Sequence, residues 1–212
     1  MKYIVLTILW SAWCFLHSAL ISLTVTEYIR HRFKGAFRYY RVCYNGLSLA
    51  TLIPVAIYTY SVQSEPLFRW EASFRVIHFV LLFISLFLFF SGARHYDALQ
   101  FLGIRQLRQS NSCTLLTEDC ELDSTGILGI IRHPWYTGGI IVVWGRDLDV
   151  SAIITNLIIT GYFIIGTFLE ERKLSIQFGE AYKAYQKRVS MFFPYKWLKS
   201  RISFGVKSTF DS

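Results

Sequence analysis

His78-Phe79-Val80-Leu81-Leu82-Phe83-Ile84-Ser85-Leu86-Phe87-Leu88-Phe89-Phe90 decides the class of this chain: after its first residue it offers nothing polar but one serine hydroxyl. Extended to Phe74 and Ala93, the run forms about 30 Å of helix, the thickness of a bilayer's hydrocarbon. Lipid offers backbone groups no partner, so a spanning segment is a helix or part of a closed barrel. No alternating strand pattern accompanies this run. The expectation is therefore an all-α integral membrane protein.

Two further runs lie upstream. The stretch 3–25 is a first span, and 42–62 a second, with Pro54 tolerated inside it and a kink expected there. After the third span, 74–93, the last apolar region is divided. Residues 135–145 are apolar but short, and Arg146-Asp147-Leu148-Asp149 separates them from the run 150–169. Two antiparallel helices fit, the first short or tilted and drawing turns from 126–135. About five spans result.

Charge sets the orientation. Arg30, Arg32, Lys34, Arg38 and Arg41 crowd the expected loop 26–41, whereas 63–73 is nearly neutral and carries Phe68 and Trp70. Arg94, Arg105, Arg108 and Arg132 mark 94–132, and many Lys and Arg follow Leu169. The excess of basic loops on one side places the C-terminus in the cytoplasm and the N-terminus outside the inner (plasma) membrane. Within 94–125, residues 96–107 read as an amphipathic surface piece and 111–125 as turn-rich and acidic. Met1-Lys2 runs directly into an apolar stretch without a small-residue cleavage site, so a retained span is expected.

Composition agrees. With 212 residues, 53% hydrophobic and 17% aromatic, and a mean hydropathy of +0.38, the chain is too apolar for an ordinary soluble fold. The net charge of +8 falls between the apolar runs, in no stripe interleaved with aromatics, which argues against nucleic acid as a partner. Cys14, Cys43, Cys113 and Cys120 form no CxxC pair. No metal site is expected, and reduced thiols are.

Two segments exceed what a structural span needs. In the stretch 126–139, Pro134 biases His133 toward an extended conformation and starts a helix, displaying Arg132 and His133 beside amides suited to an anion. In 170–185, Glu170 and Glu171 stand at the end of the last apolar run, where the helix dipole disfavours them unless a cation is near. Arg172, Lys173 and water are the bland alternative. Tyr182 and Tyr185 share one helical face, as an interfacial belt or as a ligand wall. His17, inside the first span, needs a polar partner or a function; Ser18 and Ser22 are the local candidates. Asn45, with Arg41 and Tyr44, suits interhelical hydrogen bonding or acceptor contact.

Arg132-His133-Pro134-Trp135-Tyr136, then EERKL (170–174), FGEAYKAY (178–185) and VSMFFP (189–194), resemble the isoprenylcysteine carboxyl methyltransferase superfamily. HSALIS (17–22) and YRVCYNG (40–46) are similar to its bacterial NnrU and methanethiol S-methyltransferase branch. The resemblance implies a single membrane unit: three N-terminal spans (1–93), a cytoplasmic loop (94–125), a cofactor region (126–194) and a basic tail (195–212). It implies S-adenosylmethionine in a cytoplasm-facing pocket, contacted by His133, Pro134, Tyr136, Glu170, Glu171, Tyr182 and Tyr185. A small thiol or lipophilic acceptor would come from the membrane lipid side, with His17, Arg132 and His133 as the catalytic candidates.

One departure qualifies this. Where the carboxyl methyltransferases carry an arginine one turn before the glutamate pair, this chain has Gly166, which disfavours an anionic prenylcysteine acceptor. A non-catalytic accessory protein or small transporter with a degenerate pocket is the rival reading; a reductase using NADPH ranks below both, since such relatives have more spans. Oligomeric state stays open, because Gly138, Gly139 and Gly161 suit packing within one chain or between two.

Overall fold

The computed structural model describes residues 1–95, 99, 102–108 and 122–210. Nine helices lie among them: α1 Lys2–Ile21, α2 Leu23–Arg32, α3 Tyr40–Ser61, α4 Arg75–Ala93, α5 Ile104–Arg108, α6 Pro134–Trp144, α7 Val150–Phe178, α8 Glu180–Arg188 and α9 Tyr195–Phe210. Three-residue or four-residue 3-10 turns precede α3, α4 and α6. Cys113, Cys120, residues 96–98 and 100–101 of the expected amphipathic piece, and 111–121 of the acidic one lie outside the described residues.

Four helical stretches are long and apolar enough to cross a membrane, namely Lys2–Ile21, Phe37–Ser61, Ala72–Ala93 and Val150–Phe178. Only 17–22% of each apolar window is buried inside the protein, so most of this apolar surface needs lipid as its solvent. Phe79, Phe83, Phe87 and Phe90 of α4 all face outward. The remaining apolar helix, α6, has 11 residues, or about 16 Å of helix.

Two boundaries differ from expectation. Residues 26–32, expected in a loop, are helical. Ser22 adopts an extended conformation that ends α1, and its hydroxyl then accepts the Val25 N–H, opening α2. The last span does not stop at Leu169 either. Residues 170–178 lack Gly and Pro and favour helix, so α7 continues to Phe178, where Gly179 at φ 55° closes it. At 29 residues its length of about 44 Å exceeds the hydrocarbon and carries Glu170 and Glu171 well before its end. α3 runs through Pro54 without interruption.

α1, α3 and α7 share one apolar core of Leu6, Trp10, Val55 and Val62, backed by Ile154 and Ile158. Within it the Trp10 indole N–H donates to Thr59 Oγ1 at 2.9 Å, a polar tie of the sort that joins helices in lipid. α6 lies antiparallel against α4: Gly145 is beside Leu82, Gly138 beside Ser85 and Phe89, and Gly92 beside Pro134 and Trp135. The approach is close. A Cβ on Gly92 would lie 2.6 Å from the Trp135 ring, and one on Gly139 2.7 Å from Phe163, whereas Gly161 has nothing within 4 Å. Gly138 and Gly139 therefore serve packing inside the chain.

One end of the bundle is fastened by backbone. Leu67 and Phe68 donate to the Leu148 carbonyl and the Leu148 N–H to that of Phe68, while the Trp70 N–H bonds Asp147 at 3.0 Å. Loops 62–71 and 145–149 thus share one end. Glu171 is 21 residues beyond Val150, about 32 Å along α7, which puts it at the other end, where the basic residues of α2, α8 and α9 gather.

Candidate functional site

The sequence 126–137 builds the site. Gly126 takes φ 51° and starts a tight turn; Ile131 then pairs with Ser190 in a parallel bridge. The Arg132 and His133 amides donate to the carbonyls of Ser190 and Met191 at 2.9 and 3.2 Å. Pro134 opens α6 in the first turn, where no amide is needed, and His133 before it stays non-helical at φ −124°, ψ 66°. Segments 130–137 and 186–192 are laced together by this pairing, and α7 supplies the third side.

Glu171 is the hub. Its Oε1 accepts from Arg132 Nε at 2.6 Å and lies 3.1 Å from His133 Nε2, and its Oε2 accepts from Gln186 at 2.9 Å. Arg132 Nη1 also donates to the carbonyls of Val189 and Gln186. Glu171 is 6% exposed and His133 5%, so these are charge-assisted bonds away from bulk water. Glu170 approaches His133 from the other nitrogen, with Oε2 3.7 Å from Nδ1. Its side chain keeps 24% exposure.

The expected dipole conflict is overturned, because α7 runs on past both acids to Phe178. The partner of Glu171 is Arg132, brought from the other segment.

A shallow recess, open to solvent, lies beside this hub and is lined by Asp123, Arg132, His133, Glu170, Tyr182 and Tyr185, with Leu122, Leu128 and Leu174. Of the acid pair it is Glu170 that lines it. Tyr182 and Tyr185 are packed edge to face at 5.7 Å and belong to an apolar cluster with Val189, Leu174 and Phe178. Tyr185 donates to the Leu128 carbonyl at 2.6 Å. Burial first, and the nearby Glu171 carboxylate second, raise the Tyr182 hydroxyl above its ordinary range. Burial does the same for Tyr185. Both phenols stay protonated at neutral pH.

Tyr136 lies behind the recess. Its ring stacks on His133 at 5.6 Å and 8°, and on Phe163 at 5.5 Å. The structure thus gathers Arg132, His133, Pro134, Tyr136, Glu170, Glu171, Tyr182 and Tyr185. His17 stands apart within the α1–α3 contact. Tyr44 OH lies 2.6 Å from its Nε2 and Ser48 Oγ 3.1 Å from its Nδ1, with Trp13 stacked on it at 5.1 Å. These partners come from α3, not from Ser18 or Ser22. Between His17 and His133 lie the rings of Tyr162, Phe163 and Tyr136. Asn45 donates to the Leu102 carbonyl at 3.2 Å, a structural tie.

Three residues escaped the sequence reading. Gln186 follows Tyr185 directly and bonds Glu171. Asp123 and His95 form a pair at 2.6 Å on the recess margin. Asp123-Ser124-Thr125 has the form of an Asx turn, the only local signal. Burial raises the Asp123 carboxyl, but the Thr125 and His95 hydrogen bonds outweigh it and hold it below its ordinary range.

An all-helical, membrane-embedded unit with a charged, tyrosine-walled recess at its basic end is the class of protein that fold and site define. Its sequence matches the NnrU protein family across residues 5–192. The chain belongs to that family.

It is also similar to the methanethiol S-methyltransferase of Pseudomonas deceptionensis, at 42% identity over 66 residues, covering 31% of this chain and 25% of that protein. Methanethiol S-methyltransferase 1 of Bradyrhizobium diazoefficiens is 36% identical over 67 residues, covering 31% of this chain and 24% of that one. The chloroplastic 15-cis-zeta-carotene isomerase of Zea mays is 24% identical over 158 residues, covering 73% of this chain and 40% of that one. The matches thus span about a quarter of the length of these methyltransferases. No solved structure matches the chain.

Proposed function

We propose that this protein is an integral-membrane methyltransferase that uses S-adenosylmethionine and methylates a small thiol or lipophilic acceptor. The observation that carries the reading is the placement of His133 between Glu170 and Glu171 on a recess walled by Tyr182 and Tyr185, in a chain similar to methanethiol S-methyltransferases.

The residues fit such a donor by charge. Glu171 is matched by Arg132, His133 and Gln186, which leaves Glu170 as the recess carboxylate suited to an ammonium group. Tyr182 and Tyr185 present aromatic rings, which favour a neighbouring cation. When bound, S-adenosylmethionine supplies an already activated methyl group, so the protein's part is alignment and exclusion of water. Arg132 acts here as a girder: it fixes Glu171 and the carbonyls of Gln186 and Val189. His133, stacked on Tyr136, orients the acid pair.

A thiol acceptor reacts as its thiolate, and a proton acceptor is needed near the recess. His133 is placed for this; His17 would serve only through an acceptor reaching between α1 and α3. Gly166, with nothing within 4 Å of a Cβ built there, puts no cation one turn before Glu170, which favours a neutral or thiol acceptor over a carboxylate. Following the basic loops, the recess faces the cytoplasm and the end fastened by Phe68 and Leu148 faces out. α6 is then the short fifth crossing.

Calorimetric binding of S-adenosylmethionine to detergent-purified protein tests the reading. Binding should be lost in His133→Ala and weakened in Glu170→Gln and Glu171→Gln. Folded protein with no measurable binding would remove it. Labelled-methyl transfer to thiol, lipid and prenylated-peptide candidates then selects the acceptor. The rival, a family member with a degenerate recess, draws on the recess being shallow and its arginine being engaged internally; it requires that no acceptor be labelled.

A further inference from the structure

We propose that Asp123 is a ligand-binding residue of the recess, receiving a ribose hydroxyl of the nucleoside part of the methyl donor, and that His95 is its positioning residue. The proposal rests on the methyl-donor reading above and deepens it.

A carboxylate oxygen has two acceptor directions. Asp123 Oδ1 accepts the Thr125 N–H at 2.8 Å and the Thr125 hydroxyl at 2.8 Å, which fills it. Among the described residues, Asp123 Oδ2 accepts one bond, from His95 Nδ1 at 2.6 Å. One acceptor direction remains, on a residue that lines the recess with Tyr182, Tyr185 and Glu170.

The class of ligand follows from the surroundings. Three donors already share the charge of Asp123, so its spare direction suits a neutral O–H, while Glu170 on α7 is the carboxylate left for a cation. A carboxylate taking a ribose hydroxyl beside a nucleotide is a recurrent device in other folds, and aromatic walls suit the attached base. His95 sets the geometry. It reaches Asp123 from the end of α4, at 16% side-chain exposure, across Gly126, where a Cβ would lie 2.8 Å from His95 Nε2. Glycine at φ 51° leaves room for the ring.

The test compares S-adenosylhomocysteine with its 2′-deoxy and 3′-deoxy analogues, by calorimetry on the full chain in detergent. In the wild type, one deoxy analogue should bind about tenfold or more weakly than the parent, as expected for loss of a hydrogen bond to a charged acceptor. In Asp123→Ala, that analogue and the parent should bind equally. His95→Ala should reduce the discrimination and His95→Gln, which can still donate to Oδ2, should restore it, with melting midpoints recorded for each variant. If Asp123→Ala does not fold, the two His95 variants carry the test. Equal affinities for parent and both analogues in the wild type, or discrimination unchanged in the folded variants, would overturn the proposal. Wild-type protein that binds none of these ligands would instead sink the methyl-donor reading beneath it.

Discussion

Asp149 and Glu171, joined by one long helix, stand at opposite ends of the bundle, 5% and 6% exposed, and they are satisfied in opposite ways. Asp149 caps α7. It accepts from the amides of Ser64 and Ala152, each at 2.7 Å, and from the Ser151 hydroxyl. Glu171 is satisfied by two ionisable side chains and one amide, with a second acid and a recess next to it. A carboxylate held by neutral backbone donors is a staple between loops. One held among ionisable groups that could be re-partnered by a ligand is poised for chemistry. On the proposed function, the contrast separates a mechanical end of the bundle from a ligand-binding one.

The largest effect that tests this division is Arg132→Ala. It takes one charged donor from buried Glu171 and the donor from the Val189 carbonyl, while the Gln186 carbonyl keeps Lys196 Nζ, and the cost should be about 3–5 kcal/mol, seen as a collapse of the melting midpoint in detergent. Asp149→Ala should cost about 1–2 kcal/mol, the value of a helix cap, while leaving cofactor affinity unchanged. If it abolishes binding instead, the two ends are not separate. Burial raises the Asp149 carboxyl, but the Ser64, Ala152 and Ser151 donors outweigh it and hold it below its ordinary value. Its stabilising contribution is therefore complete above the ordinary value and disappears as pH falls through the lower, folded one. Melts taken from about pH 6 to about pH 3 should show a steeper acid decline in wild type than in Asp149→Ala.

Glu170→Gln should weaken cofactor binding about tenfold, or about 1.4 kcal/mol, with no matching loss of melting midpoint. That result would sharpen the contrast within the acid pair itself. The remaining two substitutions concern packing. Gly92→Ala, which drives a Cβ into Trp135, should cost about 1–3 kcal/mol. Gly161→Ala, facing open space, should be neutral or stabilise by up to about 1 kcal/mol in the same melts.

The spans were legible because apolar length is a physical requirement of the bilayer; the second and third were placed to within two residues. Helix ends were less legible. Ser22 closes one helix and opens another through its own hydroxyl, and nothing in the string of letters ranks that above a loop. The extension of α7 follows from ordinary helix-forming residues, but the apolar run ends at Leu169, and hydropathy alone stops the helix there. At the site, the types of residue were visible and their pairing was not. Arg132 and His133 were displayed by Pro134, and the acid pair asked for a cation; that the cation is Arg132 depends on contacts across about forty residues. Asp123 and His95 sit in segments that carry no periodic signal, so only tertiary structure joins them.

The lacing of 130–137 to 186–192 rests on main-chain atoms, the Arg132 and His133 amides donating to the Ser190 and Met191 carbonyls, with the Thr137 hydroxyl adding a side-chain donor to the Phe192 carbonyl. Main-chain bonding is indifferent to which side chain is attached and sensitive to how many residues there are. The exposed positions 187, 188 and 193 should thus accept many replacements, whereas adding or removing a single residue between Gln186 and Phe192 would shift every carbonyl by one place and strand Arg132. Spacing in that stretch is under tighter constraint than spelling.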